Sequence, residues 1–307
     1  MALVAMSQLL EHAKANGYAV GYFEAWNLES LLAVKDAAEE ARSPVIIGFN
    51  GGFLENPERP VPENIRHYGR LGRAVAENSP MPLALILNEA KALSTLLAGL
   101  EAGFNVVMHD GSGCGYQQSV SVNRELVAAA HELGAEVEAE FGELPEAAPA
   151  TASVAGGQLT DPELASRFVE QTGVDALAVS VGNVHVLEAG KVDLDLDLLG
   201  TLLGRLPVPL VLHGGTGINP DSLQRAVAMG VAKINVGTIM RRSFVDSLGD
   251  FLRTHRTDQF DPGALTSTGG RQDMLYRART AVKEQVLELM RIFGSDGQAG
   301  SFSSINP

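Results

Sequence analysis

The chain has 307 residues, of which 45% are hydrophobic and 20% charged, and its formal net charge is -14. This length suits one α/β barrel of about 250 residues with extensions, although two smaller domains would also fit. The acidic balance, with no basic run longer than Arg241-Arg242, excludes the usual features of a nucleic-acid-binding protein. No apolar stretch reaches the roughly 18 residues of a membrane span. A single cysteine, Cys114, and no signal-peptide pattern at the start lead us to expect a cytoplasmic protein.

Short apolar runs rich in Val, Ile and Leu recur along the chain, and longer segments with helical spacing separate them. This alternation is typical of a parallel sheet built from βα units. The predicted strands are Ala19 to Phe23, Pro44 to Phe49, Leu83 to Leu87, Asn105 to His109, Ala135 to Phe141, Ala176 to Val181, Val208 to Leu212 and Ala232 to Val236.

Each predicted strand is followed by a predicted helix. The helices are Leu28 to Ala41, Asn64 to Asn78, Lys91 to Ala102, Ser119 to Leu133, Pro162 to Thr172, Leu194 to Arg205, Pro220 to Met229 and Met240 to Arg253, and a further one runs from Gln272 to Phe293. Asp161-Pro162 and Asn219-Pro220 are good helix starts, since a capping side chain precedes a proline in the first turn.

Repeated βα units with no linker predict a closed (β/α)8 barrel, the TIM barrel fold, rather than a doubly wound open sheet. We expect one domain over residues 1–293, including a C-terminal helical extension, and a flexible Gly/Ser-rich tail over residues 294–307. The Ala/Pro-rich stretch from Gly142 to Gly157 interrupts the rhythm and is the candidate for a mobile lid.

Polar residues stand at the predicted carboxyl ends of the strands, where such barrels collect their catalytic groups on one face. A solvated strand end would also be polar, so the whole set is more informative than any one member. It comprises Glu24, Asn50, Asn88 with Glu89, Asp110, Glu140, Asn183 with His185, His213 and Asn235.

Two of these residues, His185 and His213, follow neighbouring strands. A single histidine there is more often an ordinary polar residue than a metal ligand. Two neutral imidazoles beside the carboxylates of Glu89, Asp110 and Glu140 favour a divalent metal site.

Two glycine-containing turns follow the last two predicted strands, where barrels often hold a phosphate. In Gly214-Gly215-Thr216-Gly217 and Asn235-Val236-Gly237-Thr238, backbone N–H groups, hydroxyls and the next helix start could bind an anion. Tight turns alone would also explain the glycines. We therefore expect a small phosphorylated substrate, and neither a nucleic acid nor a membrane as partner.

The runs Pro209 to Ile218 and Lys233 to Thr238 resemble the zinc-dependent class II fructose- and tagatose-bisphosphate aldolases. Further matches continue the resemblance over nearly the whole chain at matching spacing: Ser43 to Ile46, Met81 to Leu85, Asp110 to Ser112, Glu138 to Gly142 and Leu159 to Pro162.

The resemblance implies a zinc lyase that splits a ketose phosphate into dihydroxyacetone phosphate and an aldehyde through a metal-stabilised enediolate. His185 and His213 match two zinc histidines, while Asp110 and Glu140 match acidic positions beside the metal or at a second metal. The implied cofactor is zinc or another divalent ion, with a monovalent cation as an optional companion. The related enzymes are dimers or tetramers, so a homodimer or homotetramer is expected.

The phosphate and ketone contacts of the family match Thr216, Asn235 and Thr238. With the glycines Gly214, Gly215 and Gly237, and with Asn50, they form the predicted substrate-binding set.

The chain departs from the family where protons are moved. After the third strand the family reads His-Leu-Asp-His-His, whereas this chain reads Ile86-Leu87-Asn88-Glu89-Ala90. Asn88 thus replaces an aspartate and its amide cannot titrate. Glu89 replaces a zinc histidine, which gives a predicted His2Glu metal site with Glu140 nearby.

The family's lid carries a proton-shuttling glutamate that the lid segment of this chain lacks in register, leaving Glu143 or Glu146 as substitutes. Glu24 takes the place of an active-site asparagine. The candidate catalytic residues are therefore Asn88, Glu24, Glu146 and Asp110.

The first hypothesis is a divergent metal-dependent aldehyde-lyase acting on a phosphorylated ketose or keto compound, with ordinary fructose-bisphosphate cleavage in doubt. The second is an isomerase, epimerase or decarboxylase that uses the same enediolate. The third is a non-catalytic binding protein that has kept the barrel.

Overall fold

The computed structural model describes residues 3–142, 158–184, 191–255, 257–259 and 261–302. Within them, the parallel strands follow chain order around a closed barrel, and β1 pairs with both β2 and β8. The strands are β1 Val20–Ala25, β2 Val45–Asn50, β3 Leu83–Ala90, β4 Val106–His109, β5 Glu136–Phe141, β6 Ala176–Val179, β7 Leu210–Leu212 and β8 Lys233–Val236. The predicted TIM barrel is confirmed, with each strand found within a few residues of its predicted ends.

Helices surround the barrel. They are α1 Met6–Asn16, α2 Leu28–Ala41, α3 Gly51–Leu54, α4 Ile65–Glu77, α5 Leu93–Ala102, α6 Tyr116–Glu132, α7 Pro162–Thr172, α8 Leu196–Arg205, α9 Pro220–Met229, α10 Thr238–Thr254, α11 Pro262–Thr266, α12 Met274–Phe293 and α13 Ala299–Phe302. The predicted starts of α7 and α9 are found, since Asp161 accepts from Leu164 N–H and Asn219 accepts from Asp221 N–H. Among the described helices, none is long and apolar enough to cross a bilayer.

Two apolar layers follow from the alternation of side chains along the strands. In β1, Val20 and Tyr22 belong to the cluster inside the barrel, whereas Phe23 and Ala25 pack in the layer between strands and helices. Glu24 stands two positions after Tyr22, so the same alternation directs its side chain into the mouth of the barrel. Glu24 is 7% exposed.

Helix α1, which periodicity did not reveal, closes the amino-terminal end of the barrel. Its buried residues Met6, Leu9 and Leu10 join the interior cluster. Just before it, Val4 N–H donates to the carbonyl of Leu83 at 2.8 Å. This end is therefore plugged, and the carboxyl ends of the strands are left as the open face.

The chain beyond α12 differs from the predicted flexible tail as far as the structure describes it. Ser295 is fully buried with its Oγ 2.9 Å from Ser43 Oγ, and Ala299 N–H donates to Arg42 O at 2.9 Å. Phe302 is buried against His12, with ring centroids 5.2 Å apart. These contacts hold residues 295–302 on the barrel, while residues 303–307 and the predicted lid residues 143–157 lie outside the described part.

Candidate active site

A cavity of about 990 Å³ opens at the carboxyl ends of the strands. Parallel strands deliver their last residues to one face, so residues distant in sequence meet there. Predicted site residues that line it are Glu24, Asn50, Asn88, Glu89, Asp110, Glu140, His213, Gly214, Thr216, Asn235, Gly237 and Thr238. Gly215 is not among the lining residues, and His185 and Glu146 fall outside the described residues.

A β-bulge at the end of β3 brings both Asn88 and Glu89 to the cavity. The register with β4 passes from Leu87 opposite Val107 to Ala90 opposite His109, which leaves one extra residue in β3. Glu89 has a φ of 53°, in the left-handed region that non-glycine residues rarely adopt. Simple alternation would turn adjacent side chains to opposite faces, and the bulge overrides it at this point.

Strained backbone of this kind costs of order 1–3 kcal/mol and clusters at functional sites. The Glu89 carboxylate is fixed further by Asn50, whose Nδ2 donates to Oε2 at 2.7 Å. Asn50 Oδ1 accepts from Phe53 N–H and so caps α3. Both polar atoms of the Asn50 amide, which was predicted as a substrate contact, are therefore engaged in hydrogen bonds within the protein.

Asn88 is 2% exposed, and its Oδ1 has no hydrogen-bond partner among the described residues. An acceptor left in this state costs free energy unless a ligand or water satisfies it. Because Asn88 lines the cavity, the structure offers a ready acceptor for a ligand hydroxyl at this position.

His213, directly after β7, is enclosed by three glutamates. Its Nε2 lies 3.1 Å from Glu138 Oε1, and its Nδ1 lies 3.0 Å from Glu140 Oε2 and 3.4 Å from Glu89 Oε1. Burial alone would lower the pKa of His213, but the hydrogen bonds to these carboxylates outweigh burial and hold the pKa well above its usual value. Asn183 Nδ2 donates to the His213 carbonyl at 3.0 Å and fixes the backbone there.

The donor types around His213 fit a divalent cation. Glu138 holds Nε2, which is the arrangement that directs the other ring nitrogen of a ligating histidine toward a metal. That nitrogen faces the carboxylates of Glu89 and Glu140. Imidazole nitrogen and carboxylate oxygen are both ordinary zinc ligands. Among the described residues, no group of three His, Cys, Asp or Glu side chains is placed to hold a metal ion, and the predicted His185 lies outside them.

A buried lysine completes the network below His213. Lys233 and Glu138 are both fully buried, and Lys233 Nζ donates to Glu138 Oε2 at 2.6 Å and to Asn235 Oδ1 at 2.7 Å. Burial would raise the pKa of Glu138, yet Lys233 and His213 bring it below its usual value. Burial lowers the pKa of Lys233 despite the carboxylate beside it.

Glu24 pairs with Arg241 from the first turn of α10. Arg241 Nε and Nη2 both donate to Glu24 Oε1, the first at 2.9 Å. The guanidinium lies over the rings of Trp26 and Phe53, 4.8 and 4.5 Å from their centroids. Burial raises the pKa of Glu24, and Arg241 opposes that rise. Glu24 is therefore an ion-paired side chain rather than a solvated strand end.

The two predicted anion-binding turns lie side by side at one end of the cavity. Gly214 adopts a φ of 67°, which favours glycine, and a Cβ on Gly215 would meet Ile234 Cγ2 at 2.6 Å, so the turn accounts for the first glycine and packing against β8 for the second. Lys191 Nζ lies 2.5 Å from the Thr216 carbonyl. Helix α10 begins at Thr238 without a side-chain cap, and both Gly237 and Thr238 line the cavity.

Asp110 lies on the opposite rim. Its Oδ1 accepts from Ser112 N–H at 2.9 Å, and Oδ2 is 3.8 Å from Lys91 Nζ. These contacts stabilise the loop after β4. The structure brings Asp110 to the cavity, whereas the carboxylates that contact His213 among the described residues are those of Glu89, Glu138 and Glu140.

Sequence reasoning missed Glu138, Lys233 and Arg241 as site residues. Glu138 and Lys233 each stand two positions before a predicted rim residue, Glu140 and Asn235, in otherwise apolar strands. Side chains two positions apart on a strand point to the same face, so a charged residue there would lie in the barrel below the rim residue. This spacing, in strands that are otherwise apolar, could have identified both residues. No comparable pattern marks Arg241.

Comparisons with known proteins agree with the fold and show the family. The family described as class II fructose-bisphosphate aldolase matches residues 4–298. The protein YdjI of Escherichia coli K12 is 32% identical over 287 residues, covering 92% of this chain and 94% of YdjI. The fructose-bisphosphate aldolase of Thermus caldophilus is 33% identical over 321 residues, covering 97% of this chain and 100% of that enzyme. The crystal structure of the YdjI aldolase matches with a TM-score of 0.78 at 30% identity, covering 97% of this chain and 99% of that one.

Proposed function

Since the chain belongs to the class II fructose-bisphosphate aldolase family, we propose that it is a divergent metal-dependent lyase acting on a phosphorylated ketose or keto compound. The observation that carries the proposal is His213, held by Glu138 and facing Glu89 and Glu140 inside the cavity. The anion-binding turns beside it supply a place for the phosphate.

In this proposal Glu89, His213 and His185 hold the metal, with Glu140 beside them. A bound divalent cation supplies Lewis-acid polarisation of the ketone and stabilises the charge of the enediolate. The chain itself prepares the site, because Asn50 fixes the Glu89 carboxylate and Glu138 fixes the imidazole.

The phosphate end is formed by Thr216 and Thr238, with the N–H groups of the Gly214 to Gly217 turn and of the start of α10. Helix N-termini and glycine turns bind anions through backbone N–H groups. Lys191 adds positive charge beside the first of these turns, while the charge of Arg241 is paired with Glu24.

Proton transfer must differ from that of ordinary family members. The Asn88 amide accepts a hydrogen bond but cannot remove a proton. Glu24 and Glu146 are the candidate replacements. Burial favours the protonated form of Glu24, yet its Oε1 is occupied by Arg241, so proton transfer by Glu24 would require that pair to loosen.

A second function, isomerisation, epimerisation or decarboxylation through the same enediolate, is favoured by one observation. Such reactions do not need the hydroxyl-directed base that Asn88 cannot provide. The protein would then bind a phosphorylated keto compound in the same cavity without releasing an aldehyde from it.

Metal analysis of the purified chain is the first test. We expect about one zinc or similar divalent ion per chain, and its loss in His213→Ala. His131→Ala is the matched control, because His131 is an exposed histidine paired with Asp175. A wild-type chain that binds no divalent cation when zinc is supplied in excess would eliminate both enzymatic proposals and leave the non-catalytic one.

Substrate tests separate the enzymatic proposals. Exchange of the C–H proton of dihydroxyacetone phosphate in deuterated water, followed by NMR, tests for enediolate formation. Release of an aldehyde from a panel of ketose phosphates tests the lyase. Exchange with no cleavage of any member favours the second function. Light scattering tests the homodimer or homotetramer, which stays a prediction.

A further inference from the structure

Lys233 occupies an unusual position for a lysine, fully buried inside the barrel on β8. Its ammonium makes three contacts: with Glu138 Oε2 at 2.6 Å, with Asn235 Oδ1 at 2.7 Å, and with the face of the Tyr22 ring, 5.0 Å from the centroid. A buried ion pair of this kind is weak evidence for stability, since an apolar pair of similar volume is often as stable. The presence of a buried lysine here therefore needs an explanation other than stability.

The ammonium determines which way the Asn235 amide points. A lysine ammonium has three donors and no acceptor, so only the oxygen of the amide can face it. Nδ2 must then point away from Lys233. Asn235 is 6% exposed and lines the cavity, and its Nδ2 has no hydrogen-bond partner within the described chain.

A buried N–H donor without a partner is costly, and native structures rarely keep one without a reason. Here the donor belongs to a cavity-lining residue at the end where the anion-binding turns lie. A ligand oxygen would satisfy it. Asn88 Oδ1, on β3, is the corresponding acceptor without a partner among the described residues.

The same ammonium also fixes Glu138, whose other oxygen holds Nε2 of His213 at 3.1 Å. One residue thus connects the ligand donor of Asn235 to the proposed metal ligand. Removing it would free the Asn235 amide to rotate and would leave Glu138 buried without its cation.

We propose that Lys233 is a positioning residue that holds the Asn235 amide so that Nδ2 donates to the keto oxygen of the bound compound. The inference rests on the proposed function, because it names how that site orients its ligand. Lys233 itself does not touch the ligand and acts through Asn235.

A double-mutant cycle tests the inference with zinc-loaded protein and dihydroxyacetone phosphate as the probe, measured by calorimetry. We expect Lys233→Met and Asn235→Ala each to weaken binding by about tenfold, the effect of one lost hydrogen bond. Asn235→Ala should cause little further loss, less than about twofold, in a chain that already carries Lys233→Met, because the amide is then no longer held in place. Losses that multiply, or a Lys233→Met variant that binds like wild type, would overturn the inference.

The infrared carbonyl stretch of the bound probe provides a readout that a purely structural role would not move. Loss of the N–H donor should shift the stretch to higher frequency in Lys233→Met and in Asn235→Ala alike, and an unshifted band in Lys233→Met refutes the inference. Lys283→Met is the matched control, because Lys283 pairs with Glu40 at the surface and should change neither readout.

Lys233→Met leaves Glu138 as a buried charge, so the variant alone risks misfolding. The cycle is therefore also run with Lys233→Met and Glu138→Gln made together, so that the side chain left beside the methionine is neutral and its oxygen still accepts from His213. If the wild-type chain neither binds the probe nor exchanges its proton, the proposed function fails and this inference with it. If wild type binds and the cycle is additive, only the role of Lys233 is rejected.

Discussion

Replacing Arg241 with methionine should destabilise the protein, and the loss should grow as the pH rises. Arg241 is the cation that pairs with Glu24, whose side chain is 9% exposed against 34% for the arginine. The substitution leaves a buried carboxylate without its partner and removes a guanidinium stacked between Trp26 and Phe53.

The magnitude follows from this partial burial. Breaking a fully buried ion pair costs about 3–5 kcal/mol, whereas an exposed pair contributes at most about 1 kcal/mol. Because a third of Arg241 is exposed, we expect the free energy of unfolding to fall by about 2 kcal/mol near neutral pH.

The pH dependence has a definite sign. Burial raises the pKa of Glu24, so the folded protein binds this proton more tightly than the unfolded chain does. The contribution of Glu24 to stability is therefore largest below the unfolded pKa of about 4.3 and is lost as the pH rises through the folded pKa. Without Arg241, which lowers that pKa, the folded value rises further and the loss extends to higher pH.

Urea unfolding of wild type and Arg241→Met at pH 5 and pH 8 measures the effect. Arg66→Met is the control, since it removes a direct arginine–glutamate pair whose side chains are 48% and 59% exposed. We expect the control to change stability by less than about 1 kcal/mol at both pH values. An Arg241 variant as stable as the control, or one whose loss is greater at pH 5, would refute the reasoning.

Three further outcomes are expected. Gly48→Ala should lower the free energy of unfolding by about 1–3 kcal/mol or more, because the new Cβ would lie 1.9 Å from Ile86 O. Gly204→Ala is the control and should stabilise α8 slightly, because a Cβ there meets nothing within 4 Å. Equal urea midpoints for the two variants would contradict this. Phe168→Ala should cost about 3–5 kcal/mol, since its ring is fully buried, and a loss below 1 kcal/mol by the same measurement would show that the core relaxes around it. Asn88→Asp should raise cleavage of fructose or tagatose bisphosphate by about 10²-fold in a coupled aldehyde assay, and an unchanged rate would remove the proton-transfer interpretation of this position.

The sequence alone predicted the barrel because its strands are buried on both faces and read as apolar runs at a regular spacing. The residue that ends each run also lies on a common rim, whatever its partners are. Glu24, Asn88 and His213 could therefore be assigned to one site from their positions in the chain. Helix α1 was not predicted, because it precedes the first strand and the alternation of βα units does not require it.

Only the tertiary structure decided which of these side chains contact one another. Arg241 and Glu24 are 217 residues apart in the chain, and Lys233 and Glu138 are 95 apart. No local sequence pattern links such pairs. Closure of the barrel places β1 beside β8, and it brings side chains of β5 and β8 together inside the barrel.

The orientation of Glu89 depends on the fold in the same way. Strand alternation turns it away from Asn88, and the extra residue in β3 relative to β4, with its positive φ, turns it back toward the cavity. A bulge arises from the mismatch between two paired strands. The sequence therefore determined the barrel and the residues at its mouth, while strand pairing decided which of them face His213.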